Sequence, residues 1–534
     1  MANKKSFLQG ALILGVAGLI IKVLGAVFRI PLANIIGDDG MGYYQTAYPI
    51  YVLFLTLSTA GIPTAISKMV AERNAIDNPK EAHRIFRVSF LLLFGIGIVS
   101  SAILFFGADL IVEHLKNPNA KYAMMAIAPA LLFVPLMAAY RGYFQGMQKM
   151  EPTAASQVVE QLFRVVAGLS LALALVPKGL KYAAAGASFG ATAGAIGGLL
   201  AVVVIYYGNR KKIHRDMRRD THKGGEAASK ILMNIFIIAV PITIGAAIMP
   251  IMNTIDVGIV MRRLQEANFT EKAANSLYGQ LTGMAGPLIN FPQVLTQAIA
   301  MSLVPAVAAA HRKNDTPFLH YNIAMGLRTA MIIGLPCAFG LMILSEPIML
   351  LLYPAQKASA VSAAPCLFVL AIGVVFLSSV QTTTGILQGI GKQMIPVMNL
   401  FFGAIVKVIL TYTLTGIESI NVKGAAIGTV AAYIVASGLN ILAVKKYTGV
   451  RFNVMLTWIK PLISALVMAE LVWLTHSALA AFMGNAFSTL LSVMVGACVY
   501  TAMLFLTKSI TNEELAMIPG GSKLRRITGK FNKK

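Results

Sequence analysis

Charged side chains are scarce in this chain. They make up 12% of its 534 residues, whereas an average soluble domain is about 25% charged. Apolar residues recur in blocks along the whole length rather than in one anchor, and about 20 apolar residues are enough to cross a bilayer. The composition therefore predicts an integral, polytopic membrane protein and excludes an ordinary soluble globular protein.

Cysteine is also rare, and its placement excludes two kinds of site. Cys337, Cys366 and Cys498 lie far apart, each inside an apolar block. Because no CxxC motif or Cys/His cluster occurs, neither a disulfide framework nor a zinc site is indicated. The short segments predicted outside the membrane contain no nucleophile, paired carboxylates or metal-binding motif. We therefore expect a protein that is not an enzyme and that has no resident cofactor.

Acidic residues are outnumbered by basic ones, 21 to 45, which gives a net charge of +24. Such an excess can indicate nucleic-acid binding, but the positions of the charges argue otherwise. With the N-terminus inside, the predicted cytoplasmic segments hold 28 Lys and Arg residues and the external loops hold nine. This bias places both termini in the cytoplasm of a plasma-membrane protein. We expect anionic membrane lipids as partners and no nucleic acid.

Fourteen blocks are long and apolar enough to be predicted as spans. Lys4 and Lys5 precede the first block, but no small-residue cleavage site follows it, so we interpret it as an uncleaved span. The predicted spans lie near residues 7–36, 43–71, 86–107, 121–148, 153–176, 182–207, 231–260, 276–310, 318–344, 361–388, 394–415, 423–444, 454–475 and 485–507.

An internal repeat relates the first six spans to the next six. Four pairs match at offsets of 238 to 243 residues: RGYFQGMQK (Arg141–Lys149) with TGILQGIGK (Thr384–Lys392), Arg164 with Lys407, GASFG (from Gly186) with GAAIG (from Gly424), and Pro63 with Pro305. Both halves begin inside, so the repeat is parallel, with its axis along the membrane normal. Duplicated six-helix halves of this kind are typical of transporters that rock around a central cavity.

The sequence thus predicts an all-α integral membrane fold with two parallel six-helix repeats and two extra helices. Its parts are an N-terminal six-helix lobe (1–207), a cytoplasmic basic linker (208–230), a C-terminal six-helix lobe (231–447), helices 13 and 14 (448–507) and a cytoplasmic basic tail (508–534).

Basic residues inside the first-half spans define the candidate substrate site. A charge at bilayer depth costs about several kcal/mol, so its presence there is a functional hypothesis. The predicted spans of the first half contain four such basic residues near one acidic residue, Glu160, so the charge there is net positive. Arginine suits phosphate because its planar guanidinium group can donate two hydrogen bonds at once. We expect a phosphorylated, anionic substrate to bind Lys22, Arg29, Arg141 and Arg164, supported by Glu160, Gln145 and Gln157.

The roles of the two membrane acids Glu160 and Asp256 each have more than one interpretation. Glu160 lies four residues before Arg164, the favourable order for an intrahelical pair, so the two could simply neutralise each other and hold the bundle together. In the second half, Asp256 stands beside Asn253 and Thr254. That group could bind Na⁺ or H⁺ for coupling, or Asp256 could pair with Lys407 or Arg328. Membrane potential is another possible driving force.

Three segments resemble the MurJ, YtgP and SpoVB branch of the polysaccharide-flippase superfamily in Gram-positive bacteria. They are FRIPLANIIGDDGMGYYQTAYPIY (Phe28–Tyr51), AGIPTAISKMVAERN (Ala60–Asn74) and RGYFQGMQKMEPTAASQVVEQLFR (Arg141–Arg164). The resemblance implies a fourteen-helix fold related to MATE drug exporters. It also implies movement of lipid II, the undecaprenyl-pyrophosphate-linked peptidoglycan precursor, from the inner to the outer leaflet.

The resemblance also bears on single residues. Lys22, in KVLG, stands where related sequences place a basic residue that is thought to hold the pyrophosphate. Arg29 lies near a second such position. The second span reads YVLFLTLSTAG and lacks the basic residues of Gram-negative relatives, so Arg141 and Arg164 are expected to supply that charge. Helices 13 and 14 are implied to hold the lipid tail.

Three other functions remain compatible with these residues. A flippase for another lipid-linked glycan, such as a teichoic, capsular or spore-cortex precursor, would need the same cationic site. A cation-coupled drug antiporter would share the fold but not the basic cavity. A non-transporting scaffold that recruits cell-wall synthesis proteins would predict that the intramembrane charges are dispensable.

Overall fold

The computed structural model describes residues 2–220, 222 and 225–509, and only the backbone of residues 2–16 and 19. Over this part of the chain the secondary structure is entirely helical. The helices are α1 (Ala2–Thr59), α2 (Ile62–Ala75), α3 (Pro79–Phe106), α4 (Ala108–His114), α5 (Lys121–Ile127), α6 (Ala130–Gly146), α7 (Glu151–Leu175), α8 (Leu180–Arg219), α9 (Ala228–Glu266), α10 (Glu271–Gly279), α11 (Gly286–Arg312), α12 (Thr316–Ile343), α13 (Ser345–Leu352), α14 (Lys357–Gly389), α15 (Met394–Thr415), α16 (Lys423–Thr448) and α17 (Lys460–Leu506).

Twelve helical segments of the described chain are long and apolar enough to cross a membrane. Two of them are much longer than a single crossing needs: Ile20–Ala75 has 56 residues and Met455–Leu506 has 52. Each is broken by a kink at a glycine with positive φ, Gly37 at 65° and Gly484 at 71°. Glycine adopts this backbone region readily because it has no Cβ. The multi-pass, all-helical membrane architecture predicted from the apolar blocks is confirmed.

Capping residues fix where several helices begin. The Asn78 side chain accepts a hydrogen bond from the Glu81 N–H at the start of α3, and Pro79 follows as the first helical residue. Asp315 caps α12 in the same way, and its carboxylate accepts from the Phe318 N–H. These caps satisfy backbone donors that have no partner inside the helix.

Much of the predicted basic linker 208–230 is helical. Helix α8 continues to Arg219, and α9 begins at Ala228. The stretch before Arg219 contains no proline, and lysine and arginine are good helix formers, so hydrophilic sequence alone did not end the helix. Residues 510–534 of the predicted basic tail lie outside the described residues.

The connection between α8 and α9 is anchored by Asp220, which accepts a hydrogen bond of 3.0 Å from the backbone N–H of Lys80. Close by, Arg73 forms an ion pair with Glu226 at 2.8 Å. This connection is therefore held against the end of α2 and the start of α3.

The described chain divides into two compact units. One comprises the residues up to Met284 with Thr415–Asn421, and the other comprises Ala285–Leu414 and the residues from Val422 onward. The first unit has a buried core that includes Phe86, Tyr143 and Tyr206. The second has two such cores, formed largely by aliphatic side chains of α11, α12, α14 and α17.

Residues matched by the internal repeat make equivalent contacts within each unit. A Cβ atom on Gly190 would lie 2.7 Å from the Arg164 carbonyl oxygen, and one on Gly428 would lie 3.0 Å from that of Lys407. Both glycines allow close backbone approach of two helices. The helix contacts therefore agree with two of the matched pairs, Arg164 with Lys407 and GASFG with GAAIG. The layout of the six-helix lobes stays a prediction.

Pro63 and Pro305, which the repeat matches in sequence, do not occupy equivalent positions in the packing of the two units. A Cβ on Gly142 would lie 2.9 Å from the Pro63 carbonyl oxygen, and the matching position, Gly385, faces the Ala300 carbonyl oxygen at 2.5 Å. Pro63 therefore corresponds to Ala300 rather than to Pro305. The offset was misleading because the helices that carry these prolines are in a different register.

Candidate functional site

Two of the four predicted cations share one carboxylate. Arg141 on α6 donates from Nη2 to Oε2 of Glu160 on α7 at 2.9 Å. Arg164, one turn further along α7, lies with its Nη2 3.4 Å from the other oxygen, Oε1. The three side chains are only 14–17% exposed. The group carries two positive charges and one negative charge at membrane depth, so it has a net charge of +1.

Further polar side chains on α6 and α7 hold this group in place. The Nε of Arg141 donates to Ser156 Oγ at 2.8 Å. Gln145, one turn after Arg141, donates weakly to Thr153 Oγ1 at 3.4 Å. Gln157 is half-buried and lies three residues before Glu160. Sequence reasoning missed Ser156, although a hydroxyl four residues before a membrane acid is a recognisable signal.

Glycines of α8 allow α7 to approach closely. A Cβ on Gly194 would lie 2.6 Å from the Glu160 carbonyl oxygen, and one on Gly186 would lie 2.8 Å from that of Leu171. With Gly190 against Arg164, the four-residue spacing of these glycines brings the two backbones together along more than two turns. These glycines therefore position the helix that carries Glu160 and Arg164.

Three tyrosines of α1 lie near the arginine pair. The rings of Tyr44 and Tyr48 are stacked 5.6 Å apart, and Tyr51 follows at 6.0 Å from Tyr48. All three hydroxyl groups lie within electrostatic range of Arg164. The sequence analysis missed them, although positions 44, 48 and 51 recur at helical spacing.

Two buried polar atoms in this region have no hydrogen-bond partner, the Tyr51 hydroxyl and Arg164 Nε. Buried polar groups are almost always hydrogen-bonded, so such exceptions mark places where further polar atoms can bind. An anion that reaches Arg164 would find an unused donor there.

The other two predicted cations lie on α1. Arg29 is half-buried and, like Arg164, lies within electrostatic range of Tyr44. Lys22 is exposed and lies two turns earlier on the same helix. Between them, a Cβ on Gly25 would lie 3.8 Å from Nε2 of Gln161 on α7. The structure thus links Arg141 to Arg164 through Glu160, places Arg29 within electrostatic range of Tyr44 and leaves the Lys22 side chain exposed.

The predicted coupling site in α9 is less compact. Thr254 donates to the Pro250 carbonyl within its own helix at 2.9 Å, Asn253 is exposed, and Asp256 is half-buried. Asp256 lies within electrostatic range of the buried Tyr278. Among the residues described, no group of three or more His, Cys, Asp or Glu side chains could hold a metal ion.

A second polar cluster, which the sequence analysis missed, lies at the kink of α1. Asp38 Oδ2 accepts from Ser276 Oγ at 2.6 Å and from Gln280 Nε2 at 2.8 Å. Asn275 Nδ2 donates to the Asp39 carbonyl at 2.8 Å and its Oδ1 accepts from Asn117. The expectation that the segments outside the membrane contain no paired carboxylates overlooked Asp38 and Asp39, the adjacent acids that follow Gly37 at the end of the first apolar block.

Comparisons with known proteins agree with this architecture. Residues 7–311 match the family model described as polysaccharide biosynthesis protein, and residues 282–413 match the MatE model. Stage V sporulation protein B of Bacillus subtilis is 27% identical over 97% of this chain and 98% of its own length. The lipid II flippase MurJ of the same species is 28% identical over 84% of each chain.

A solved structure of a lipid II flippase MurJ, in an inward closed conformation, has the same fold. It superposes with a TM-score of 0.70 at 17% identity and covers 92% of this chain and 97% of its own. The resemblance stated for Phe28–Tyr51, Ala60–Asn74 and Arg141–Arg164 is confirmed. The chain belongs to the polysaccharide biosynthesis protein family and is a membrane transporter similar to the lipid II flippase MurJ and to stage V sporulation protein B.

Proposed function

We propose that this protein is a flippase that moves lipid II from the inner to the outer leaflet of the plasma membrane by alternating access. The observation that carries the proposal is the buried pair of arginines that share the single carboxylate of Glu160. A net positive group at membrane depth suits a diphosphate, and the charged sugar headgroup of a lipid-linked precursor cannot cross hydrocarbon unaided.

The proposal includes fourteen crossings with both termini in the cytoplasm. The segments Ile20–Ala75 and Met455–Leu506 are each long enough to cross twice, with the kinks at Gly37 and Gly484 as external turns. Ten single crossings and these two double crossings then agree with the bias of basic residues.

Substrate binding is then an exchange of anions. In the unliganded site Glu160 supplies the negative charge that a diphosphate would bring, 2.9 Å from Arg141. An incoming diphosphate takes over the guanidinium donors, including the unused Nε of Arg164, and each arginine can bind it bidentately. Because the site already contains an internal anion, release needs no large charge separation.

The Asp38 cluster is suited to closing the external end of the first unit. Its hydrogen bonds join the kink of α1 to the second half of α10 and to Gln280, and Asn117 and Asn275 are fully buried within it. Outward opening requires these bonds to break. The energy for the cycle comes from membrane potential or from a Na⁺ or H⁺ bound at Asp256, provided that the two states bind the ion differently.

A second candidate function is flipping of another undecaprenyl-linked glycan, because stage V sporulation protein B aligns over nearly the full length. The same arginine pair would bind its phosphate. A scaffold that only recruits cell-wall synthesis proteins would leave the buried charges without a role.

The proposal is tested with purified protein in liposomes that contain fluorescently labelled lipid II. We expect the wild type to expose the label to a membrane-impermeant quencher, and Arg164→Ala to slow this at least about tenfold, which is about 1.4 kcal/mol. Lys68→Ala, which removes an exposed cation 3.9 Å from Glu72, is the matched control. Movement of a teichoic precursor but not of lipid II would favour the second candidate.

A further inference from the structure

A groove in the second unit, away from the arginine pair, lies between the start of α15 and the end of α16. Its volume is about 310 Å³, which is within the range of small-ligand pockets. Its walls combine apolar side chains with an amide, an ammonium and a phenol: Met394, Ile395, Met398, Ala443, Asn399, Lys446 and Tyr447.

Two lysines converge on one aromatic ring at the mouth of this groove. The ammonium nitrogens of Lys392 and Lys446 lie 5.2 Å and 5.8 Å from the centre of the Tyr447 ring. Within the described residues neither ammonium group forms an ion pair with a carboxylate. The ring face offsets only part of their mutual repulsion, so the groove has a surplus of positive charge.

The groove continues into an apolar stripe of α15. Met394, Met398 and Phe402 follow one another at intervals of one turn, and their exposed fractions are 65%, 47% and 49%. On a membrane helix such side chains face lipid. Methionine adapts its shape to a flexible chain because it is unbranched, so the stripe is suited to an acyl chain.

A polar pair forms part of the back wall. Asn399 donates from Nδ2 to Oδ1 of the fully buried Asn440 at 2.8 Å, and Asn440 Nδ2 has no hydrogen-bond partner. Asn399 follows Met398 directly on α15, so it adds an amide to the groove wall beside the apolar stripe. Glycerol and ester oxygens of a phospholipid are hydrogen-bond acceptors, which suit this amide.

We propose that this groove binds one anionic phospholipid of the phosphatidylglycerol type. Its phosphate lies between Lys392 and Lys446 beside the Tyr447 ring, and one acyl chain follows Met394, Met398 and Phe402. Basic pockets between helix ends commonly hold anionic headgroups at the cytoplasmic surface. On the proposed topology this lipid belongs to the inner leaflet, but the binding itself does not depend on the protein being a flippase.

The test is native mass spectrometry of the full chain in detergent, titrated with phosphatidylglycerol or phosphatidylcholine. We expect one tightly bound phosphatidylglycerol and about tenfold weaker binding in the Lys392→Ala/Lys446→Ala variant. Lys445→Ala is the matched control, because this neighbouring lysine is exposed and does not line the groove. Met398→Trp keeps both charges but fills the apolar part, and it should also weaken binding.

Three outcomes would overturn the proposal. Unchanged phosphatidylglycerol binding in the double variant would remove the two lysines from the site. An equal loss in Lys445→Ala would show unspecific attraction to surface charge. Displacement of the lipid by equimolar glycerol 3-phosphate, with no effect of Met398→Trp, would show a phosphate site that does not use the acyl chain. Circular dichroism of each variant establishes that the fold is retained.

Discussion

Arg141 on α6 and Glu160 on α7 form a hydrogen-bonded ion pair of 2.9 Å across two helices, 19 residues apart in sequence. Arg164 approaches the same carboxylate from one turn further along α7. Each arginine is therefore neutralised only in part. Removal of Glu160 leaves two uncompensated positive charges in a place where charge is costly, whereas removal of either arginine leaves a neutral pair.

Glu160→Ala should lower the free energy of unfolding by about 3 kcal/mol, because it leaves two buried arginines without a counter-charge. Arg141→Ala should cost less, about 2 kcal/mol, because Arg164 still pairs with Glu160 and only the hydrogen bonds of Arg141 are lost. The double variant should lose about 2 kcal/mol less than the sum of the two. Equilibrium unfolding in detergent micelles measures this coupling.

The exposed pair Lys68 and Glu72 is the control for this cycle, since its side chains are each 60% exposed. Its coupling should be below about 0.5 kcal/mol. Additive losses for Arg141 and Glu160 would contradict a direct ion pair between them.

The glycines of the repeat should be equally sensitive in both units. Gly190→Ala and Gly428→Ala add a methyl group 2.7 Å and 3.0 Å from a carbonyl oxygen of the adjacent helix. Each should therefore destabilise the protein by about 2 kcal/mol. The shift in thermal unfolding midpoint measures this loss.

Gly208→Ala and Gly438→Ala provide controls in the same two helices, because no atom lies within 4 Å of the added methyl group. They should be neutral or slightly stabilising, since alanine favours helix over glycine. If Gly190→Ala behaves like Gly208→Ala, α8 does not pack closely on α7.

Much of the fold follows from the sequence, for a simple physical reason. A stretch of about 20 apolar residues in lipid must satisfy its own backbone, and a helix does so. The extension of α8 to Arg219 was not predicted, because charged residues end a membrane span without ending a helix. Glycine spacing in α8 indicated a close helix partner but could not identify it as α7.

The candidate site was predictable only where it is local. Glu160 and Arg164 are four residues apart on one helix, so their contact could be inferred. The contact of Glu160 with Arg141 depends on which helices pack together. Asp38 and Ser276, 238 residues apart, are joined only by the tertiary fold, and no pattern in the sequence relates one to the other.

The connection between α8 and α9 should respond to acid. The backbone N–H of Lys80 donates a hydrogen bond to the Asp220 carboxylate, and His222 donates further ones. These hydrogen bonds, the one from Lys80 most of all, lower the pKa of Asp220 to about 2. A carboxyl group with a lowered pKa stabilises the fold above its unfolded pKa of about 4, and this contribution disappears as the pH falls towards 2. The hydrogen-exchange protection factors of residues 78–84, which are corrected for the intrinsic pH dependence of exchange, should therefore stay constant down to about pH 4 and fall below it.

In the Asp220→Asn variant, the amides of residues 78–84 should exchange faster than in the wild type at neutral pH. Their protection against exchange should also no longer change between about pH 4 and pH 2. The carboxylate accepts from both Lys80 and His222, and an amide replaces it only in part. Identical pH profiles for the variant and the wild type would exclude Asp220 as the anchor.

A reversible cross-link should test the role of the Asp38 cluster. In a background without Cys337, Cys366 and Cys498, Asp38→Cys/Ser276→Cys replaces two side chains whose oxygens are 2.6 Å apart. Oxidation should stop flipping in liposomes and reduction should restore it, because outward opening needs this contact to break. Each single variant under the same oxidation should remain active. A fully cross-linked protein that flips at the wild-type rate would show that the cluster does not open.

The most direct test of the central claim is the amount of lipid II exposed on the outer leaflet of cells depleted of this protein and of any redundant flippase. Wild type, Arg164→Ala or Lys68→Ala is restored at equal membrane levels, and exposed lipid II is measured with an impermeant label. The account predicts that wild type and Lys68→Ala restore exposure and that Arg164→Ala does not. Equal exposure with Arg164→Ala would contradict the role of the arginine pair, and unchanged exposure after depletion would contradict lipid II as the substrate.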